Sequence, residues 1–406
     1  MSSHRSSARR PTRRKTGPDP GPRYFATCPK GLESALADEL LELGLDEVVA
    51  GNAGVAFGGG WAACHRANLH SRVASRVLWC LGQGRYDHED DIYELAQALP
   101  WPDWFSVDRT IRVQVSAIAS PLKSLEFITL RIKDAVCDRF RAQVGSRPNV
   151  STVEPDMRIH AFLSANEITL YLDTSGEPLF KRGWRRRSIE APLRENLAAG
   201  ILRLTGWRPE EPLLDPMCGS GTFIVEAAQI ALGVAPGAGR HFAFERFEHH
   251  DASAWETARD AAMASRQPVR ELAIFGSDTD RSALTAAKDN LREAGVGGAA
   301  RIQFADALSL APPAETGVLV ANPPYGVRMG DSDELAAFYP LLGDALKRGF
   351  AGWRAFLFSG DTRLPKLIGL KAQRRTPLFN GAIECRLLEY RIVAGAMRRP
   401  VGGEVV

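Results

Sequence analysis

From Tyr24 onward the apolar residues recur at two spacings, and the switch between them predicts the elements. Tyr24 to Cys28 is an apolar run of strand length, and Leu32, Ala35, Leu36, Leu40 and Leu43 then repeat at helical spacing until Gly44 stops them. Val48 and Val55 to Phe57 supply short strands near Gly51 and Gly54. A second helical pattern is read over Cys64 to Gly82, with Arg66, Arg72 and Arg76 on its polar positions; a solvated face and an RNA contact both fit them. Ile92, Leu95, Ala96 and Leu99 predict a helix ended by Pro100, and Ile111 to Ala117 alternates as a strand does. Leu125 to Phe140 reads as a helix bearing Arg131, Lys133 and Arg139. A strand pair follows, Ile159 to Leu163 and Ile168 to Leu172, around Ala165-Asn166.

Beyond Pro192, which starts a helix reaching Leu204, strands and helices alternate. Leu213 to Ala228 reads strand, tight glycine turn, helix; Leu272 to Ser277 is a strand and Arg281 to Ala294 its helix. Ile302 to Ala305, Val318 to Ala321 and Ala355 to Ser359 are further strands, with a helix over Leu335 to Phe350. The Asn380-Gly381 turn sets up a last strand, Glu384 to Val393. This succession predicts an α/β protein whose second half is a doubly wound sheet. Between Leu232 and Glu271 lies an insertion holding Gly237, Gly239 and His249-His250. No third ligand stands at a useful spacing from that pair, so a surface role is expected and no metal.

Composition narrows the setting. A chain of 406 residues should hold about two or three domains. The net charge of +3 gives no general signal for nucleic acid, so any such signal must come from where the charges sit. Six scattered cysteines with no C-x-x-C fit reduced thiols and a cytoplasmic location, and no apolar run reaches membrane-spanning length. Met1 to Pro22 has almost no large apolar side chains and is expected to be a disordered basic tail, serving solubility or phosphate contact. Lys123 stands in a loop before a helix start, placed to meet a phosphate. Residues 181–187, KRGWRRR, interleave a tryptophan among five cations. RNA backbone contact with base stacking and a charged interdomain linker both fit that run.

The chemistry gathers at strand ends. Asp215 precedes the turn with Gly219 and Gly221; Asp278 and Asp280 end the next strand, Asp306 the third, and Asn322-Pro323-Pro324-Tyr325 the fourth. In a doubly wound sheet these ends face one crevice. Asp278 is placed to accept ribose hydroxyls of an adenosine cofactor and Asp306 an adenine amine, while Asp280 suits a helix N-cap. A nucleotide-binding dehydrogenase is disfavoured, because the turn reads C-G-S-G-T and the tetrapeptide has no work in hydride transfer. Moving a methyl to a planar amine suits it better. The Asn322 side-chain oxygen and the Pro323 carbonyl would each accept one N–H, two prolines would hold them rigidly, and Tyr325 would stack on an extruded base.

D-P-M-C-G-S-G-T with N-P-P-Y resembles the S-adenosylmethionine-dependent amino methyltransferases. Upstream, Arg158-Ile159-His160, then LYLDTSGEPLFKRGWR and APLRENLAA, are similar to the THUMP-domain bacterial RNA guanine-N2 methyltransferases of the RlmL type, over nearly everything from Tyr24 to Val393. The resemblance implies a Rossmann-like class I methyltransferase domain with an antiparallel last strand, preceded by ferredoxin-like and THUMP domains that bind RNA. The expected bounds are 1–22 tail, 23–65 ferredoxin-like, 66–175 THUMP, 176–190 basic linker, 191–396 methyltransferase and 397–406 tail. It implies that Asp215, Pro216, Cys218, Gly219, Gly221, Thr222, Asp278, Asp306 and Asn322 hold S-adenosylmethionine. Asn322, Pro323, Pro324 and Tyr325 would hold the guanine, with residues 191–196 bordering the methionyl end. Lys123, Lys133, Arg182, Arg185 and Arg186 are the candidate RNA contacts, and neither metal nor membrane is expected. The expected substrate is 23S ribosomal RNA. Alternatives are a transfer-RNA guanine-N2 enzyme, a non-catalytic RNA-binding assembly factor and a protein glutamine methyltransferase. Two departures stand out: the basic tail has no family counterpart, and Trp184 stands where tyrosine is commoner. The chain is also too short for the second methyltransferase half that enterobacterial relatives carry.

Overall fold

The computed structural model describes residues 23–185, 193–324 and 332–394. Both expected tails, together with Arg186 and Tyr325, lie outside the described residues. The first half runs β1 (Arg23–Thr27), α1 (Glu33–Glu42), β2 (Asp46–Gly51), β3 (Gly54–Gly58), α2 (Trp61–His70), β4 (Arg76–Arg85), α3 (Glu89–Ala98), β5 (Ile111–Ala117), α4 (Leu125–Val144), β6 (Met157–Leu163) and β7 (Glu167–Asp173). Its strands form one seven-stranded sheet ordered β2-β3-β1-β4-β7-β6-β5. The expected helix over residues 64–82 is corrected here. It ends at His70, Ser71 turns extended, and the chain returns as β4 between β1 and β7. Val73, Val77 and Leu78 are buried by that return, so sheet pairing overrides the local helical spacing. Arg66, Arg72 and Arg76 therefore share no helix face. The boundary expected at 65/66 falls inside α2.

Strand alternation is strict where one face is covered. Met157, Ile159, Ala161 and Leu163 of β6 are buried, as are Ile168, Leu170 and Leu172 of β7. Ile128, Ile132, Ala135, Val136 and Phe140 of α4 belong to the same core. That helix starts where the Ser124 hydroxyl accepts from Phe127 N at 3.2 Å and stops at Gly145, whose φ of 82° is the left-handed C-cap.

The second half runs α5 (Glu195–Thr205), β8 (Leu213–Asp215), α6 (Thr222–Ala231), α7 (Ala252–Ala264), β9 (Ile274–Asp278), α8 (Arg281–Glu293), β10 (Arg301–Phe304), β11 (Val318–Ala321), α9 (Ser332–Gly349), β12 (Arg354–Ser359), α10 (Leu364–Leu367), β13 (Arg374–Asn380) and β14 (Ile383–Arg391). Its sheet is ordered β10-β9-β8-β11-β12-β14-β13. The pairs from β10 through β12 are parallel, and β14 is antiparallel to both β12 and β13. The chain works outward from β8 to β10, then returns to β11 on the other side of β8. The order reverses between β8 and β11, which is where doubly wound sheets open a crevice.

The insertion after α6 is stapled to the first half by rings. His65 of α2 sits 4.8 Å from Phe244 and 5.4 Å from Trp255, and Trp61 sits 5.8 Å from Phe247. His250 joins the same cluster, 6.1 Å from His65 and 5.6 Å from Phe244. At Gly237 the insertion touches the end of α2 so closely that a Cβ would lie 2.7 Å from the Asn68 carbonyl oxygen. Among the described residues no helix is long and apolar enough to cross a membrane.

Candidate active site

The residues closing β8 and β11 meet at the switch point, since Val318 and Leu319 pair with Leu213 and Leu214. A cavity of about 570 Å³ opens there, and it takes in Pro216, Met217, Asp278, Asp306 and the stretch Asn322 to Pro324. The residues leading into the glycine turn, the two acidic strand ends and Asn322 to Pro324 thus share one cleft. Its far wall comes from the first turns of α9, through Glu334, Leu335 and Phe338.

Asp278 organises the turn. Its Oδ2 accepts from Gly219 N at 2.9 Å and its Oδ1 from Asp280 N at 3.0 Å. A carboxylate has about four acceptor positions, so lone pairs remain for a ligand's hydroxyls. Gly219 adopts φ 52°, and a Cβ built there would meet nothing within 4 Å, so its backbone borders open space. Gly221 has a different task. It caps α6 at φ 79°, and a Cβ would press on Ala287 of α8 at 3.0 Å. Asp280 is the N-cap of α8, accepting from Ser282 N at 2.7 Å. Asp306 lines the cavity while its Oδ1 accepts from Leu308 N at 2.9 Å.

Three further residues expected at the cofactor are not among the described lining of this cavity. Asp215 is 2% exposed, and its carboxyl accepts from Met217 N at 3.2 Å. Burial pushes that carboxyl up to about 8, with the charge of Asp278 acting in the same direction. The Cys218 thiol is raised well above its ordinary value, again by burial first. Thr222 is buried, its hydroxyl accepting from Arg185 at 2.9 Å. All three are buried around the turn that borders the cavity.

Asn322 carries the feature with the sharpest chemical meaning. Its Oδ1 is buried and has no hydrogen-bond partner among the described residues. An acceptor left so costs about 1–3 kcal/mol, which an incoming N–H would recover. Pro323 is buried and Pro324 half-buried beside it.

The expected RNA contacts divide. Arg182 and Arg185 are turned inward, a correction to their reading as phosphate contacts. Arg182 is 2% exposed and reaches Glu226 at 3.4 Å, next to Arg72, which reaches the same carboxylate at 3.0 Å. Arg185 donates to Glu195 at 2.8 Å and to the Ser220 hydroxyl at 3.1 Å. Arg182 and Arg185 are thereby a clamp behind the glycine turn, while Lys181 at the head of the run is exposed and pairs with Glu177. Lys123 is exposed, and Lys133 stands 2.5 Å from Asp134. Of residues 191–196, Asn196 is turned to the first half, donating to the Ser75 hydroxyl at 2.9 Å; Ala191 and Pro192 lie outside the described residues.

Sequence reasoning missed Met217, Thr279, Ala305, Ala307 and the α9 wall. The spacing of Glu334, Leu335 and Phe338 on one helix face was the available signal.

A family model described as "RMKL-like, methyltransferase domain" matches residues 182–389. A THUMP domain model matches residues 86–173 and an RlmL ferredoxin-like domain model residues 23–78. The chain is 39% identical over 370 residues to a Synechocystis protein named "Putative RNA methyltransferase", covering 91% of this chain and 96% of that protein. It is 41% identical to a ribosomal RNA large subunit methyltransferase K/L of Psychromonas ingrahamii and 40% identical to one of Shewanella baltica, covering 91% and 93% of this chain. It spans only about half the length of those two, 50% and 54%. Among solved structures, a "putative methyltransferase complexed with SAH" matches at a TM-score of 0.83 and 29% identity, covering 91% of this chain and 98% of that one. A "predicted N6-adenine-specific DNA methylase" from Listeria monocytogenes matches at 0.82 and 31%, covering 91% and 96%.

Proposed function

This chain belongs to the RMKL-like methyltransferase family, and on that premise we propose that it methylates the exocyclic N2 amine of a guanine in large-subunit ribosomal RNA. The cofactor is S-adenosylmethionine, and the residues present fit it. The cavity volume suits a ligand of that size. Gly219 keeps backbone open to it, Asp278 has acceptor positions left for ribose hydroxyls, and Asp306 stands at the wall as an acceptor for an adenine amine. When bound, the cofactor supplies an electrophilic methyl on a sulfonium.

The chain's own work is positioning. Asn322 Oδ1 accepts one N–H of the target amine and the Pro323 carbonyl the other, which turns the nitrogen lone pair away from the wall that holds it. Consecutive prolines fix the backbone near φ −65°, so these acceptors need little ordering when the reaction occurs. Phe338 and Pro324 offer apolar surface to a flat base. Tyr325 is assigned to stacking by its place in the motif. The amine becomes acidic once methylated, so its second proton passes to solvent and no general base is required.

The unpaired Asn322 oxygen, set in one cavity with Asp278 and Asp306, carries this reading. The names borne by the K/L relatives support ribosomal RNA, and the N-P-P-Y and THUMP conjunction supports guanine. The test is nucleoside analysis of ribosomal and transfer RNA from a strain lacking the gene, each then treated with pure protein. N2-methylguanosine restored to the large-subunit RNA alone is the expected result. N6-methyladenosine, or product confined to transfer RNA, overturns it.

A further inference from the structure

The seven-stranded sheet has two unlike faces. One is the core; the other is partly exposed across β1, β4, β7, β6 and β5, save Leu78 and Asp173. The register places its residues in rows. Arg23, Cys80, Tyr171, His160 and Gln114 lie side by side in one. Gln83, Thr169, Phe162 and Ser116 form the next. On the other side of the Tyr171 row, Phe25 neighbours Leu78, and Arg158 neighbours Arg112.

Phe25, Tyr171 and Phe162 thus run diagonally over the face, and the first two rings are 6.1 Å apart. Phe25 lies over Gly54, where a Cβ would sit 2.6 Å from its ring. Cys80 and His160 neighbour Tyr171, and Thr169 neighbours Phe162. Cations flank them. Arg158 faces Glu177 at 3.6 Å, whereas Arg112 donates to the Thr152 carbonyl at 2.6 Å and, among the described residues, has no carboxylate within 4.0 Å. Arg23 is exposed at the end of β1.

We propose that this open sheet face is a stacking platform for a single-stranded stretch of RNA, with bases on Phe25, Tyr171 and Phe162 and phosphates against Arg112 and Arg23. That the strand is RNA rests on the function proposed above; that it is single-stranded rests on the face itself. Rings seated on a sheet reach only unstacked bases, and sheet aromatics of this kind hold two or three. A protein partner fits poorly, since the paired rings of Phe25 and Tyr171 and the separate Phe162 stand among glutamines, histidine and arginines instead of forming one broad apolar patch. β7 leads from the platform, at Asp173, to Arg185 behind the glycine turn, a span of at most about 40 Å.

The test uses the intact chain and a fluorescein-labelled RNA of about 12 nucleotides, without self-complementarity, read by fluorescence anisotropy and compared with the same strand annealed to its complement. The single strand should bind at least about tenfold more tightly than the duplex. Tyr171→Ala and Phe162→Ala should each weaken it by about tenfold or more, and Tyr171→Phe should not. Arg112→Gln should lower the slope of log affinity against log salt by about 0.7. S-adenosylhomocysteine calorimetry on each variant checks folding, and Arg112→Gln carries the test if an aromatic variant fails that check. Single-strand binding untouched by the aromatic and arginine variants, or equal binding of duplex, overturns the platform. No methyl transfer enters this assay. Binding through the face by a protein that methylates no RNA would sink the proposed reaction and leave the platform standing.

Discussion

Glu226 is the perturbation with the clearest consequence, because two domains and the linker depend on one carboxylate. It is fully buried on α6 and receives Arg72 from the first half and Arg182 from the linker. Arg182 also donates to the carbonyls of Leu179 at 2.5 Å and Arg72 at 2.6 Å, so both guanidinium groups are fixed with little water around them. Glu226→Ala removes the only negative charge that the two guanidinium groups share within 4.0 Å among the described residues, and leaves two cations facing each other. Breaking a buried pair from one side costs about 3–5 kcal/mol, a sizeable part of the total stability of an ordinary domain. Glu226→Gln keeps an acceptor and should cost clearly less. Equilibrium urea unfolding of the intact chain, followed by tryptophan fluorescence, measures both. A loss below about 1 kcal/mol in Glu226→Ala would mean that water reaches the cluster, and the clamp would be refuted.

Asn322→Ala should abolish methyl transfer while S-adenosylhomocysteine binding by calorimetry stays within about threefold; retained turnover would refute the role of its oxygen. Asp215 has a raised carboxyl pKa, so its stabilising contribution is complete below about 4 and lost as pH rises through about 8. Thermal melts of Asp215→Asn should therefore fall less than the parent's between pH 5 and 9, and parallel curves would contradict the burial argument. His65 is held down to about 4, first by burial and then by the neighbouring His250, so its contribution is present above about 6.5 and lost as pH falls through 4. His65→Phe should flatten the acid limb of a stability profile, an unchanged limb counting against it. Gly343→Ala would place a Cβ 1.8 Å from the Ile368 carbonyl oxygen and should cost about 1–3 kcal/mol in the same urea assay, with a neutral result showing that α9 and α10 separate freely.

Much of the second half was legible because its signals are local. The Leu213–Asp215 strand, the glycine turn and the apolar α6 follow one another within a few residues, and Asn380-Gly381 marks a hairpin without knowledge of its partner, β13. What stayed hidden depended on distance along the chain. The KRGWRRR run reads as cation density, but Glu226 stands 44 residues beyond Arg182, and no spacing rule connects them. Cys64 to His70 is helical as expected, yet the continuation to Gly82 was lost to pairing with β1 and β7, partners as far as Asp173. The spacing of Glu334, Leu335 and Phe338 marks a helix face, but that spacing does not say that α9 folds back over the cavity.

The strand β4 has one more consequence. The ferredoxin-like match ends at residue 78 and the THUMP match begins at 86, so the seam between the two modules runs along a strand bonded on both sides. A chimaera spliced there would leave each fragment with a raw sheet edge, an invitation to aggregate. Residues 23–173 form one plate, to be grafted whole or not at all.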